Sequence, residues 1–138
     1  MKTLRQILAD KSGPLVIVSP DDAVFHALQV MADHNVGAVL VLDGKQLVGI
    51  FSERDYARKV ILFGKASKDT RVREIMTDKV LYVTPDRTVD ECMAIMTEKH
   101  FRHLPVLDDD GRVVGIVSIG DVVKETICEQ QFIIQQME

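Results

Sequence analysis

Two copies of one pattern fill this chain, and that duplication limits what it can fold into. Gly49-Ile50-Phe51-Ser52-Glu53-Arg54-Asp55 returns as Gly115-Ile116-Val117-Ser118-Ile119-Gly120-Asp121. The match extends both ways. Leu4 to Lys11 reads against Val72 to Lys79, Val16-Ile17-Val18-Ser19-Pro20-Asp21 against Leu81-Tyr82-Val83-Thr84-Pro85-Asp86, and Val39-Leu40-Val41-Leu42-Asp43 against Leu104-Pro105-Val106-Leu107-Asp108. A unit repeated in this way is one supersecondary module used twice.

Within each copy the hydrophobic period changes in a fixed order. An opening helix is followed by a short alternating segment, with Val16 and Val18, or Leu81 and Val83, on one face, and it stops at Ser19-Pro20 or Thr84-Pro85. Apolar residues then recur at 24, 27, 28, 31 and 32, and at 89, 92, 93 and 96, the spacing of an amphipathic helix. Thr88 and Glu91 add a capping box to the second of these. Two strands follow, over 38–42 and 47–51 around Asp43-Gly44, and over 104–107 and 113–117 around Asp109-Asp110-Gly111. A last helix begins at each motif aspartate, one running to Phe63 and stopped by Gly64, the other towards the C-terminus. The predicted class is α/β (α+β): two β-α-β-β-α units, 1–66 and 67–138, each with a three-stranded sheet that cannot cover its own apolar face. They are expected to pack sheet to sheet with pseudo-two-fold symmetry, leaving clefts between them.

At 138 residues the chain is large enough for a core without staples. No apolar run approaches the ~18 residues of a membrane span, and the start is no signal peptide, so a cytoplasmic, non-membrane protein is expected. Cys92 and Cys128 fall in helical patterns outside any metal spacing and read as reduced thiols. The net charge of −4 argues against a general nucleic-acid binder. Between Glu53 and Glu74, however, seven basic residues face four acidic ones, which favours a small anion there. His100-x-x-His103 lacks further ligands to complete a metal shell, and no serine has a paired base, so neither a metal site nor catalysis is expected.

Ser/Thr-Pro-Asp before the long helix, Arg102-His103-Leu104-Pro105-Val106 before the second hairpin and Gly-x-x-Ser-x-x-Asp after each hairpin resemble a tandem cystathionine β-synthase (CBS) domain pair. The resemblance covers almost the whole chain. It implies a Bateman module of the stand-alone signal-transduction type, which binds adenine ligands (AMP, ADP, ATP, S-adenosylmethionine or NAD) in clefts between its units. Such a module would be regulatory and non-catalytic, forming a homodimer and acting on an unknown partner protein. The alternative is a structural dimerisation module with vestigial clefts.

The motif chemistry suits such a ligand. Asp55 and Asp121 each offer two oxygens to the vicinal hydroxyls of a ribose, while Ser52, Ser118 and the amides of a helix start can donate to phosphate. A second reading of Ser-x-x-Asp is a capping box. By the resemblance, Arg102, His103 and Arg54 line the phosphate side, with a surface imidazole as the competing reading of His103. The adenine pocket is drawn from Lys11, Gly13, Val36, Gly37, Ala38, Thr77, Lys79, Val80, Phe101 and Ile116. Here Lys11 to Pro14 serve the second copy's motif, and Thr77 to Val80 the first's. The C-terminal stripe of Val123, Ile127, Ile134 and Met137 reads equally as packing on its own chain or as a dimer contact.

Overall fold

The computed structural model describes residues 2–11 and 14–137. Two compact units form. Leu15–Val80 make the middle unit, and Met1–Pro14 together with Leu81–Glu138 make the outer unit. Each is a small mixed helix-and-strand body, and its opening helix comes from the other repeat.

In the middle unit, β1 (Ile17–Val18) leads to α2 (Val24–His34), the hairpin β2 (Ala38–Asp43) and β3 (Gln46–Ser52), and α3 (Glu53–Tyr56). A π-helical turn, Ala57–Ile61, and the short α4 (Val72–Ile75) complete it. In the outer unit, α1 (Leu4–Asp10) joins α5 (Val89–Lys99), the hairpin β4 (His103–Leu107) and β5 (Val113–Ser118), and α6 (Ile119–Met137). Identical hydrogen bonds seat the two opening helices. Val72 and Arg73 donate to the carbonyls of Asp22 and Pro20, and Leu4 and Arg5 to those of Arg87 and Pro85, all at 2.9 Å. These contacts give the first-turn amides of short helices their acceptors.

The hairpins match expectation to within a residue or two at each end. Gly44 (φ 63°) and Gly111 (φ 79°) supply the left-handed turn positions, and each ladder slips register near its turn, at Val41/Leu42 and Val106/Leu107. The sheets differ from expectation in one respect. β1 pairs in parallel with β2 in a three-stranded sheet, but in the outer unit only Val83 makes the equivalent bridge, to Val106, leaving β4 and β5 as a two-stranded sheet. The reason is a single amide. Leu40 donates its N–H to the Val16 carbonyl at 3.3 Å; its counterpart is Pro105, which has no N–H to give. Leu81 consequently lies exposed instead of sharing Val83's buried face.

Each unit has its own core. Val24, Val39, Phe51, Val60 and Val72 are buried in the middle unit, and Leu4, Val89, Cys92, Leu104 and Val117 in the outer one. Ala32, expected on the apolar face of α2, is exposed: it follows buried Met31 and turns towards solvent as the helix ends at left-handed Asn35 (φ 54°). At the capping box expected for α5, the Thr88 hydroxyl accepts from the Glu91 amide and donates to its carboxylate, both at 3.2 Å.

Candidate functional site

The helix after each hairpin begins two residues before the motif aspartate, because Ser52, with extended φ and ψ, is the cap and Asp55 is the third helical residue. The same arrangement holds at Ser118 and Asp121. The Ser52 amide donates to Asp55 Oδ2 at 3.0 Å and the Asp55 amide to Ser52 Oγ at 3.2 Å. In the outer unit the two distances are 2.8 and 3.1 Å. Both motifs are therefore capping boxes, each offsetting two of the helix's unpaired donors. The first amide is also taken: Glu53 donates to the Gly37 carbonyl at 3.1 Å and Ile119 to that of Arg102 at 2.8 Å. The N–H groups at the first and third positions thus have acceptors within the chain instead of standing free for phosphate.

A cap uses one carboxylate oxygen, and a carboxylate has lone pairs for about four donors. What else each aspartate binds distinguishes the units. Asp55 Oδ1 accepts from Thr77 Oγ1 at 3.2 Å and pairs with Lys59 Nζ at 3.2 Å; that ammonium also reaches the Ile75 carbonyl at 3.2 Å. Asp121 Oδ2 pairs with Lys11 Nζ at 2.7 Å, and the same ammonium donates to the Ile116 carbonyl at 2.8 Å. The position equivalent to Lys59 is Glu125, which binds Lys2 at 3.4 Å. Asp55 is thus served by a lysine of its own helical segment, whereas Asp121 depends on one from the opening segment. Asp55 is the more enclosed, its side chain 12% exposed against 22% for Asp121.

Burial pushes the Asp121 carboxyl up, but the Lys11 ammonium and the Ser118 donors hold it below its ordinary value. It is ionised at neutral pH and available as an acceptor. Behind it, burial, reinforced by the Asp121 charge, pushes the Cys92 thiol up to about 11.

Two close approaches hold the strands to the borrowed segments. A Cβ on Gly115 would meet Leu8 Cδ2 at 2.6 Å, and one on Gly49 would meet Met76 Sδ at 2.6 Å and the Thr77 carbonyl at 3.0 Å. A two-bond bridge joins Ile50 to Thr77, at 3.0 and 2.9 Å.

Residues 5–61 and 72–127 match the family model of the CBS domain. The chain belongs to the CBS-domain family. It is 45% identical over 130 residues to CBS domain-containing protein CBSX3, mitochondrial, of Arabidopsis thaliana, covering 91% of this chain and 63% of that one. It spans 55% and 65% of the next two curated relatives, uncharacterised proteins of Methanopyrus kandleri and Acidianus ambivalens, so it corresponds to about 55–65% of their lengths. A protein with CBS domains from Burkholderia ambifaria MC40-6 shares its fold at TM-score 0.87 and 50% identity, over 94% of this chain and 96% of that one. The CBS domain pair of protein MJ0100, solved in complex with 5′-methylthioadenosine and S-adenosyl-L-methionine, aligns at TM-score 0.80 and 28% identity, over 91% and 99%.

Within this CBS pair the remaining expected residues are scattered in character. Val36 and Phe101 are half-buried and pack on the middle and outer cores, which gives both a structural role. Ala38 is buried in β2, Val80 is half-buried and Lys79 exposed. Arg54 and Arg102 project into solvent, and His103 opens β4 half-buried. Gly13 lies outside the described residues. Sequence reasoning missed Lys59 as a partner of Asp55, although its spacing of four residues on one helix was the available signal. Among the described residues no three His, Cys, Asp or Glu side chains cluster as metal ligands would, and no helix is long and apolar enough to cross a membrane.

Proposed function

We propose that this CBS pair is a non-catalytic regulatory module that binds an adenine nucleotide (AMP, ADP, ATP or NAD) through its motif aspartates. Asp121 and Asp55 receive the ribose hydroxyls. Ser52, Ser118, Arg54, Arg102 and His103 stand on the phosphate side, and Ala38, Thr77 and Ile116 stand near the base. The observation that carries this reading is a motif carboxylate at the end of each hairpin, ionised and partly exposed at Asp121, in a chain whose fold matches a CBS pair solved with two adenosine compounds. A cytoplasmic signal-transduction or energy-state role, exerted on a separate protein partner, belongs to the same proposal.

Nucleic acid fits less well. Of the seven basic residues between 54 and 73, Arg71 and Arg73 pair with Asp21, Lys59 with Asp55, and Lys68 lies 5.1 Å from the Phe25 ring centroid. A second reading, a homodimerisation module, is favoured by the apolar residues exposed along α6, among them Ile127, Phe132 and Ile134, and by Leu62 and Phe63. Thermal melts against AMP, ADP, ATP, NAD and S-adenosylmethionine separate the two, since a ligand of the folded state raises the melting temperature. A rise with any of them supports the sensor, and a flat response to all supports dimerisation alone.

A further inference from the structure

The two CBS units satisfy the same pair of acceptors by different means. In the middle unit the Ile50 carbonyl accepts from the Thr77 backbone amide at 2.9 Å, and Asp55 accepts from the Thr77 hydroxyl at 3.2 Å. Ile116 and Asp121 are the equivalent positions in the outer unit. One group takes both: Lys11 Nζ lies 2.8 Å from the Ile116 carbonyl and 2.7 Å from Asp121 Oδ2. A backbone amide inside a two-bond bridge leaves only if the bridge is unmade. An ammonium on a flexible stem, its side chain 39% exposed, leaves by rotating bonds.

An ammonium that donates to a carboxylate and a carbonyl stands where a ligand's hydroxyl or amino donors would stand. A neutral nucleoside that displaces it takes away a charge-assisted hydrogen bond and returns nothing to the lysine. A nucleoside phosphate displaces it in the same way but offers it an anion on the same sugar, within reach of its tether. Resting on the nucleotide reading above, we propose that Lys11 is the specificity-determining residue of the outer unit: it competes with ligand donors for Asp121 and Ile116, and once displaced it pairs with the ligand's phosphate, so this unit selects phosphorylated over neutral nucleosides. In the middle unit Lys59 reaches Asp55 but not the Ile50 carbonyl, which stays bonded to the Thr77 amide, so displacing that lysine frees only one of the two acceptors.

The test is calorimetric titration of the full chain with AMP and with adenosine, which differ by the phosphate alone. The outer site is identified as the one lost in Asp121→Ala. In Lys11→Gln, AMP should bind roughly tenfold more weakly, the scale of one charged hydrogen bond, while adenosine binds as well as before or better. Lys11→Arg should keep the preference. If both ligands change by one common factor, or neither changes, the lysine has no selective role and the proposal is overturned while the nucleotide reading stands. If the wild-type chain binds neither ligand, both fail together. Wild-type titrations at rising KCl give a reading that needs no variant: the preference for AMP should shrink with salt, and a salt-independent preference would contradict an ammonium–phosphate pair.

Discussion

Lys11 and Asp121 lie 110 positions apart in the sequence and 2.7 Å apart in space, an ion pair that ties the end of α1 to the start of α6. It carries a pH dependence with a definite sign. The folded Asp121 has its pKa depressed, so the unfolded chain binds the proton more readily. The pair's contribution is present above the ordinary carboxylate value of about 4 and is lost as pH falls through the folded value. Asp121→Asn keeps an oxygen for the cap but loses the charge. Urea melts should show the variant less stable at pH 7, by about 1 kcal/mol for a partly exposed pair, with the gap closing below about pH 4.

The assembly of the outer unit from both ends of the chain predicts where a mutation at the N-terminus is felt. Leu4 is fully buried among Val83, Val89 and Leu104. Leu4→Ala should cost about 2–5 kcal/mol. Hydrogen exchange should quicken first in β4 and β5, and a loss confined to α1 would mean that the helix does not seat that core.

The glycines of the two motifs are predicted to differ. Gly49→Ala would press on the Thr77 carbonyl, which is backbone held by the bridge to Ile50, as well as on Met76. Gly115→Ala meets only the Leu8 side chain, whose methyl end shifts more cheaply than backbone does. Both should destabilise in the range of about 1–3 kcal/mol, with Gly49→Ala the larger; denaturation midpoints check the order.

The thiols should separate cleanly. Cys92 is buried and its pKa is about 11, whereas Cys128 is exposed on α6. Iodoacetamide at pH 8 should modify Cys128 and spare Cys92 until the chain unfolds, as read by peptide mass.

These particulars show what the sequence made legible. The duplication, both hairpins and the helix after each hairpin follow from periodicity and turn residues, because those signals are local. Pro105 was visible too, yet its effect was not. That effect depends on which edge of β4 meets Val83, and no local pattern states this. The motif itself had two readings, clamp and cap. The structure makes the cap, and at Asp121 the cap leaves the carboxylate charged and partly open, so the two readings are compatible at that residue. Of the two lysine pairings, that of Lys59 with Asp55 was open to reading from its four-residue spacing, whereas the ion pair of Lys11 with Asp121, 110 positions away, is fixed by where the lysine's tether ends in space.

The central claim, that the motif aspartates hold an adenine nucleotide, is tested most directly by equilibrium titration of AMP, ADP, ATP and NAD into the wild-type chain and into Asp121→Ala. The account predicts saturable binding of at least one of them to the wild type, and at least a tenfold loss in the variant with its fold intact. Equal affinity in the two proteins, or a variant that loses stability but not binding, would make Ser118 and Asp121 a cap and nothing more.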